Sequence, residues 1–175
     1  MKLFSAVLLA GAFAFPTLAQ NSATNAAAAV KKIGPPVAVL PASAAVLSGP
    51  MVLTNGYISQ PQQTELAEGG KAIFNFTLTN AGTFVIKGVV YAADESMNSF
   101  YLNIDEAPQD PLMIWDMEVT NGFEEKTVSW RGNGDANNDE IAPKRFQLSA
   151  GAHKLILVGR EPTQLKSISI CPEVN

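Results

Sequence analysis

Along residues 72–79 apolar and polar side chains alternate: Phe74, Phe76 and Leu78 fall on one side, Asn75, Thr77 and Thr79 on the other. A period of two is the pattern of a strand with one face in a core and one in water. Residues 99–105 repeat it, with Phe100, Leu102 and Ile104 inward and Ser99, Tyr101, Asn103 and Asp105 outward. That outer face is either a site or solvated surface. Leu155-Ile156-Leu157-Val158 is apolar on both sides, which predicts a central strand covered on both faces. It lies in a predicted strand from His153 to Arg160. Further β-prone runs at Met51–Ser59, Thr83–Ala92, Leu112–Met117, Glu125–Trp130, Phe146–Ser149 and Leu165–Ile170 bring the number after Gly49 to nine. Asn55-Gly56, Gly69-Gly70, Ala81-Gly82, Asn121-Gly122 and Ala150-Gly151 punctuate the runs with residues that tolerate turns. No stretch after Gly49 keeps a helical period. The fold class predicted is all-β, a jelly-roll β-sandwich of about nine strands.

The first quarter has a different texture. Met1-Lys2, an apolar run of 13 residues from Leu3 to Phe15, and small residues at Thr17 and Ala19 before Gln20 read as a signal peptide over residues 1–19. The run is shorter than the roughly 20 residues a membrane span needs, so export is expected and anchoring is not. The expected location is secreted or periplasmic. Residues 20–48 are rich in Ala and Pro, with Pro35-Pro36 and Pro41 as breakers, and are expected to form a poorly ordered linker. Residues 49–175 are then the folded domain. The 175-residue length suits one core, and 47% apolar with 16% charged residues excludes disorder for this part.

The formal charge of −4 excludes a nucleic-acid partner, which requires a basic surplus on some surface. Cys171 is the only cysteine, so no intrachain disulfide and no cysteine-based zinc site can form. A buried thiol is expected there, with a link to another chain as the alternative.

Enzyme templates fail individually. The chain lacks a G-x-S-x-G elbow, an H-E-x-x-H pair and a Walker loop, and its one histidine, His153, opens an apolar strand where a hydrogen-bonded structural imidazole is expected. No catalytic residue is assigned. Twelve of the sixteen acidic residues lie between Asp94 and Glu140, against only Lys126 and Arg131. Glycosidase chemistry needs two carboxylates at a fixed separation, one with a raised pKa; solvated loops are the simpler reading of this cluster. Asp135-Ala136-Asn137-Asn138-Asp139 has the spacing that opens a calcium loop, but Glu140 stands where that motif needs Gly and Phe146 where it needs a bidentate Glu. An EF-hand is excluded, and no metal or other cofactor is assigned. Trp115 and Trp130 adjoin acidic or Gly/Asn-rich loops, and Tyr91 ends a run just before Asp94 and Glu95. Aromatic faces stack on the C–H faces of sugar rings while Asn, Asp and Glu hydrogen-bond the hydroxyls. The competing assignment for either tryptophan is the core.

The ordered series Gly82-Thr83-Phe84, Asn98-Ser99-Phe100-Tyr101-Leu102-Asn103-Ile104-Asp105, Trp115, Trp130, Phe146-Gln147-Leu148-Ser149-Ala150-Gly151-Ala152-His153-Lys154-Leu155 and Gly159-Arg160-Glu161-Pro162 resembles the carbohydrate-binding modules of families 6 and 35 and their galactose-binding-like relatives. The match runs from about Gly49 to Ile170. The resemblance implies a jelly-roll sandwich, no catalysis, and sugar binding by loops at one end. On that analogy Tyr91, Asn98, Trp115 and Trp130 are the candidate ligand-binding residues, with Asp135 and Asn137 at the rim. Many such modules hold a structural calcium through acidic residues on the first strand and an Asp near the start of the last. Here Ser48-Gly49-Pro50-Met51 and Lys166 occupy those places, and a protonated lysine cannot ligate calcium, so the metal is not carried over.

The expected partner is a glycan or polysaccharide, with a separate enzyme or surface protein beside it and no membrane span. Two alternatives stand against a glycan-binding module: a structural or adhesive domain that contacts another protein through a sheet face, and a small glycan hydrolase or lyase that uses the acidic cluster.

Overall fold

A computed structural model of the chain describes residues 31–131 and 142–174. The expected signal peptide lies outside the described residues.

The described residues form strands β1 (Lys32–Ile33), β2 (Ala38–Pro41), β3 (Val46–Ser48), β4 (Val52–Thr54), β5 (Tyr57–Ser59), β6 (Lys71–Leu78), β7 (Gly82–Tyr91), β8 (Ser99–Ile104), β9 (Ile114–Asp116), β10 (Glu124–Thr127), β11 (Arg145–Leu148), β12 (Gly151–Gly159) and β13 (Gln164–Val174), with one 3-10 turn at Ala42–Ala44. They make two antiparallel sheets, as the alternating pattern predicts. In the first, β7 pairs with β13 along its length; β10 and β11 pair with the other edge of β7, and β5, β2 and β1 follow one another along the other edge of β13, with β4 beyond β5. The second runs β3-β6-β12-β8-β9.

The core lies between the sheets. Phe74, Phe76 and Leu78 from β6, Leu155 and Leu157 from β12, and Phe100 and Leu102 from β8 meet Ile86 and Val90 from β7 and Ile168 and Ile170 from β13. All nine predicted runs are present. The run at 51–59 folds into a hairpin, β4 and β5, because Asn55 and Gly56 both adopt positive φ (51° and 80°), the backbone that a two-residue turn with right-handed strand twist requires.

Two expectations change. The Ala/Pro-rich stretch from Lys32 to Ser48, expected as linker, is part of the sandwich: β2 pairs with β13, β3 pairs with β6, and Ala42 is buried in the core. Its prolines end short strands without preventing them; Pro41 sits on an edge strand, where a missing donor costs no ladder bond. The outward face of β8 is also not solvated, since Ser99, Tyr101 and Asn103 are all buried. Residues 60–70 fold over part of that face, with Leu66 packing on Tyr101, Ile114 and Val158. This loop is pinned at Gln60, whose Oε1 accepts the Gly70 N–H (3.1 Å), and at Thr64, whose N–H donates to the Arg160 carbonyl (2.9 Å).

His153 has the structural role expected of it. Its Nδ1 lies 2.7 Å from Asp105 Oδ2, its Nε2 lies 2.9 Å from the Ser149 carbonyl, and its ring packs on Phe76. Cys171 is buried, and desolvation raises its thiol pKa.

Candidate functional site

The registers place the end of β7 beside the starts of β10 and β13, and the ends of β9 and β12 beside the start of β8. The loops leaving these strands therefore gather at one end of the sandwich. A polar cleft and a row of aromatic rings both lie at this end.

The cleft has a volume of about 580 Å³ and is lined by Glu95, Asn98, Asp116 and Glu118 on one pair of loops and by Arg131, Arg160 and Glu161 on others. Its size falls in the range of small-molecule sites, and its lining is more polar than most of them. Two ion pairs organise it. Arg131 clasps Asp116 with two parallel bonds, Nε to Oδ2 at 2.9 Å and Nη2 to Oδ1 at 3.0 Å, the bidentate geometry that fixes both planes. Arg160 donates from Nη1 to Glu161 Oε1 and to Ser99 Oγ (2.7 Å). Glu161 is itself buried, and its Oε2 accepts the Asn98 backbone N–H at 2.9 Å. Thr163 completes this attachment, its Oγ1 accepting the Ser99 N–H (3.0 Å) and lying 3.2 Å from the Ser99 carbonyl. Asn98 in turn donates from Nδ2 to the Met117 carbonyl at 2.9 Å. The start of β8 is thus held by side chains from the turn that leads into β13.

The ring row consists of Tyr57, Phe123 and Tyr91, all half-exposed. Phe123 lies between the tyrosines, its centroid 5.7 Å from Tyr57 and 5.9 Å from Tyr91, with interplanar angles of 45° and 51°. The Lys166 ammonium sits 4.6 Å from the Phe123 centroid. Alternation along β7 explains the position of Tyr91: Ile86 and Val90 point into the core, so Tyr91 points out with Lys87 and Val89. Phe123 follows the Asn121-Gly122 turn, where Gly122 has φ 91°, and Tyr57 follows the Asn55-Gly56 turn.

Of the predicted ligand-binding residues, Tyr91 and Asn98 come to this end of the molecule, one in the ring row and one in the cleft. Trp115 and Trp130 are corrections, because both belong to the core. Trp115 is 0% exposed, packs on Phe100, donates from Nε1 to the Thr127 carbonyl (3.1 Å), and presses against Gly88, where an added Cβ would lie 2.7 Å from its ring. Trp130 is 9% exposed, donates to the Leu102 carbonyl (2.9 Å), and meets Phe146 edge-on, with the Lys144 ammonium 4.1 Å from its centroid. Desolvation there lowers the Lys144 pKa. Neither indole offers a face to a sugar. Asp135 and Asn137 lie outside the described residues.

Sequence reasoning missed Tyr57, Phe123 and Lys166 as neighbours of Tyr91. The signal for Phe123 was its place after an Asn-Gly turn. Arg160 and Glu161 were visible only as part of the Gly159–Pro162 ending.

Among the described residues no three His, Cys, Asp or Glu side chains converge as metal ligands. The places where the resemblance puts calcium ligands hold Met51, buried in the core, and Lys166, over Phe123, so these residues do not fit that ion. What the site offers is hydrogen-bonded donors and acceptors and, at the same end, half-exposed rings.

No protein-family model matches the sequence, and no curated protein matches it. Solved structures do. The family 35 carbohydrate-binding module from Clostridium thermocellum is 10% identical with a TM-score of 0.55, covering 76% of this chain and 95% of its own. A CBM35 from Paenibacillus barcinonensis is 14% identical with a TM-score of 0.53, covering 76% and 97%. The GH26-CBM35 β-(1,4)-mannanase of Podospora anserina gives a TM-score of 0.56 at 14% identity; the match covers 81% of this chain and 28% of the mannanase. At these identities the likeness is one of fold: the chain has the β-sandwich of carbohydrate-binding modules of the 6/35 type.

Proposed function

We propose that the protein is an exported, non-catalytic glycan-binding module that takes its ligand at the loop end, stacking it on the Tyr91 row and hydrogen-bonding it from the cleft. The observation that carries this reading is the half-exposed row Tyr57-Phe123-Tyr91 at the same end of the sandwich as a hydrogen-bonded polar cleft. Sugars present apolar C–H faces and a girdle of hydroxyls, so rings next to fixed carboxylate, amide and guanidinium groups match them on both counts.

Successive rings are tilted by 45° and 51° and share no plane. A flat crystalline polysaccharide face needs coplanar rings, whereas a single soluble chain can follow a twisted row. Affinity at such an open surface is modest, because few ligand atoms are buried. The non-catalytic reading is supported by the two carboxylates most enclosed in the cleft, Asp116 and Glu161, each committed to an arginine in place of the apolar setting that a general acid requires. The module delivers its binding beside a separate carbohydrate-active enzyme or a surface protein.

Affinity electrophoresis against a panel of soluble polysaccharides tests the proposal. Retention by at least one of them is expected, weakened tenfold or more by Tyr91→Ala with little change in melting temperature. Absence of retention across neutral and acidic polysaccharides, or retention indifferent to both Tyr91→Ala and Phe123→Ala, overturns it. Release of reducing sugar from the panel would favour the hydrolase alternative.

A further inference from the structure

From Ile33 to Thr64 the chain contains no Asp, Glu, Lys, Arg or His. The fold sets the part of this segment up to Thr54 along one lateral side of the sandwich. There, among the described residues, β2 has only β13 as a partner, β4 has only β5, and β3, reached from β2 through the turn Ala42–Ala44, has only β6. All three are edge strands. Val37, Val39, Val46, Val52 and Leu53 on or beside them are between 44% and 62% exposed.

The opposite side is built differently. Its edge strands carry charge: Glu124, Glu125 and Lys126 on β10, Arg145 on β11 and Asp116 on β9. Charged side chains on an edge are the usual protection against strand pairing between molecules. One side of this sandwich has that protection and the other has branched aliphatic side chains.

We infer that the β2/β3/β4 side is a self-association surface, and that its partner is a second copy of this chain. Two features select that occupant. The molecule carries a net charge of −4, and all of its charge lies outside this strip, so two copies meet with least repulsion along it. A foreign extended strand would need a long run of backbone donors, and Pro35, Pro36, Pro41 and Pro50 remove them from this side. What remains is side-chain burial with a short ladder at most. An edge meeting itself about a two-fold axis is self-complementary, so Val39 on one copy lies against β2 of the other. With side-chain burial and no long ladder to hold it, the dimer forms reversibly.

Sedimentation velocity on the full exported chain from 1 μM to 1 mM is the test. The expected result is a concentration-dependent monomer–dimer equilibrium that persists in high salt, with a dissociation constant raised about tenfold or more by Val39→Lys and by Leu53→Lys. Leu112→Lys, which adds the same charge at an exposed leucine away from the strip, leaves it unchanged. All three positions are exposed, and unchanged circular-dichroism melts verify that each variant folds. A monomer across the whole range, or equal weakening by Val39→Lys and Leu112→Lys, overturns the inference.

Discussion

Replacing Trp115 by alanine separates a core residue from a binding residue. The indole is fully enclosed, and its removal leaves a cavity bounded by Phe100, Leu165 and the Gly88 backbone. Truncating a buried tryptophan costs about 3–5 kcal/mol from lost transfer energy and unfilled volume. The Thr127 carbonyl loses its indole donor as well, which adds about 1 kcal/mol. The sum, about 4–6 kcal/mol, is a large part of the roughly 5–15 kcal/mol that holds a domain folded, and corresponds to a fall in Tm of about 10–20 °C. Urea denaturation followed by circular dichroism measures it. Glycan retention, read at a temperature where the variant is still folded, should persist. A double-mutant cycle sharpens the assignment: Gly88→Ala collides with the six-membered part of the indole, so it should be costly in the wild type and distinctly less so in Trp115→Phe. A destabilisation below about 1.5 kcal/mol together with loss of glycan retention would refute the argument, because that is how an exposed stacking residue behaves.

Three further outcomes follow from the packing. The hydrogen bond that His153 donates to Asp105 raises the His153 pKa above 6.5; the Asp105 pKa is lowered, its burial being outweighed by the bonds from His153 and the Lys154 N–H. The histidine's contribution is full below its unfolded pKa and disappears as pH rises through the folded value, while the aspartate's is lost as pH falls through its own folded value. The Tm difference between wild type and His153→Gln should therefore be largest near pH 5–6 and shrink by pH 9, as differential scanning fluorimetry can show. Gly70→Ala places a Cβ 2.2 Å from the Met51 backbone nitrogen and should destabilise by about 2 kcal/mol or more, read from the same urea melts. A chain starting at Ser48 loses β1, β2, two of the three residues of β3 and the buried Ala42, and its Tm should fall by at least several degrees; an unchanged Tm would restore the linker reading of residues 32–47.

The strands most legible in the sequence are those whose two faces meet different surroundings. Phe74, Phe76 and Leu78 alternate with residues that stay polar because that face of β6 remains wet. Leu155 to Val158 lacks alternation because the strand is central and partly covered outside. The alternation in β8 misled for a related reason: Tyr101 and Asn103 are polar enough to predict water, but a loop distant in sequence lies over that face, and no local period encodes such a cover. The Lys32–Ser48 strands were invisible because two- to four-residue edge strands, interrupted by proline, are too short for any period to register. At the site, Tyr91 and Asn98 were legible from strand ends and loop composition. Trp115 and Trp130 were misplaced since an indole beside a polar loop has the same local sequence whether it faces inward or outward. The ring row was illegible because it joins β5, β7 and the start of β10, which only the sheet order brings together.

The attachment of Asn98 to Glu161, and of Ser99 to Thr163, ties the cleft rim to the junction of two of the longest strands. Loops that carry ligand contacts ordinarily fluctuate on their own, opening many times for each excursion of the body. Here the amides of residues 98 and 99 are bonded to buried side chains of β13's leading turn, so their hydrogen exchange should track global unfolding, and the backbone at this rim is held in place by the body of the fold.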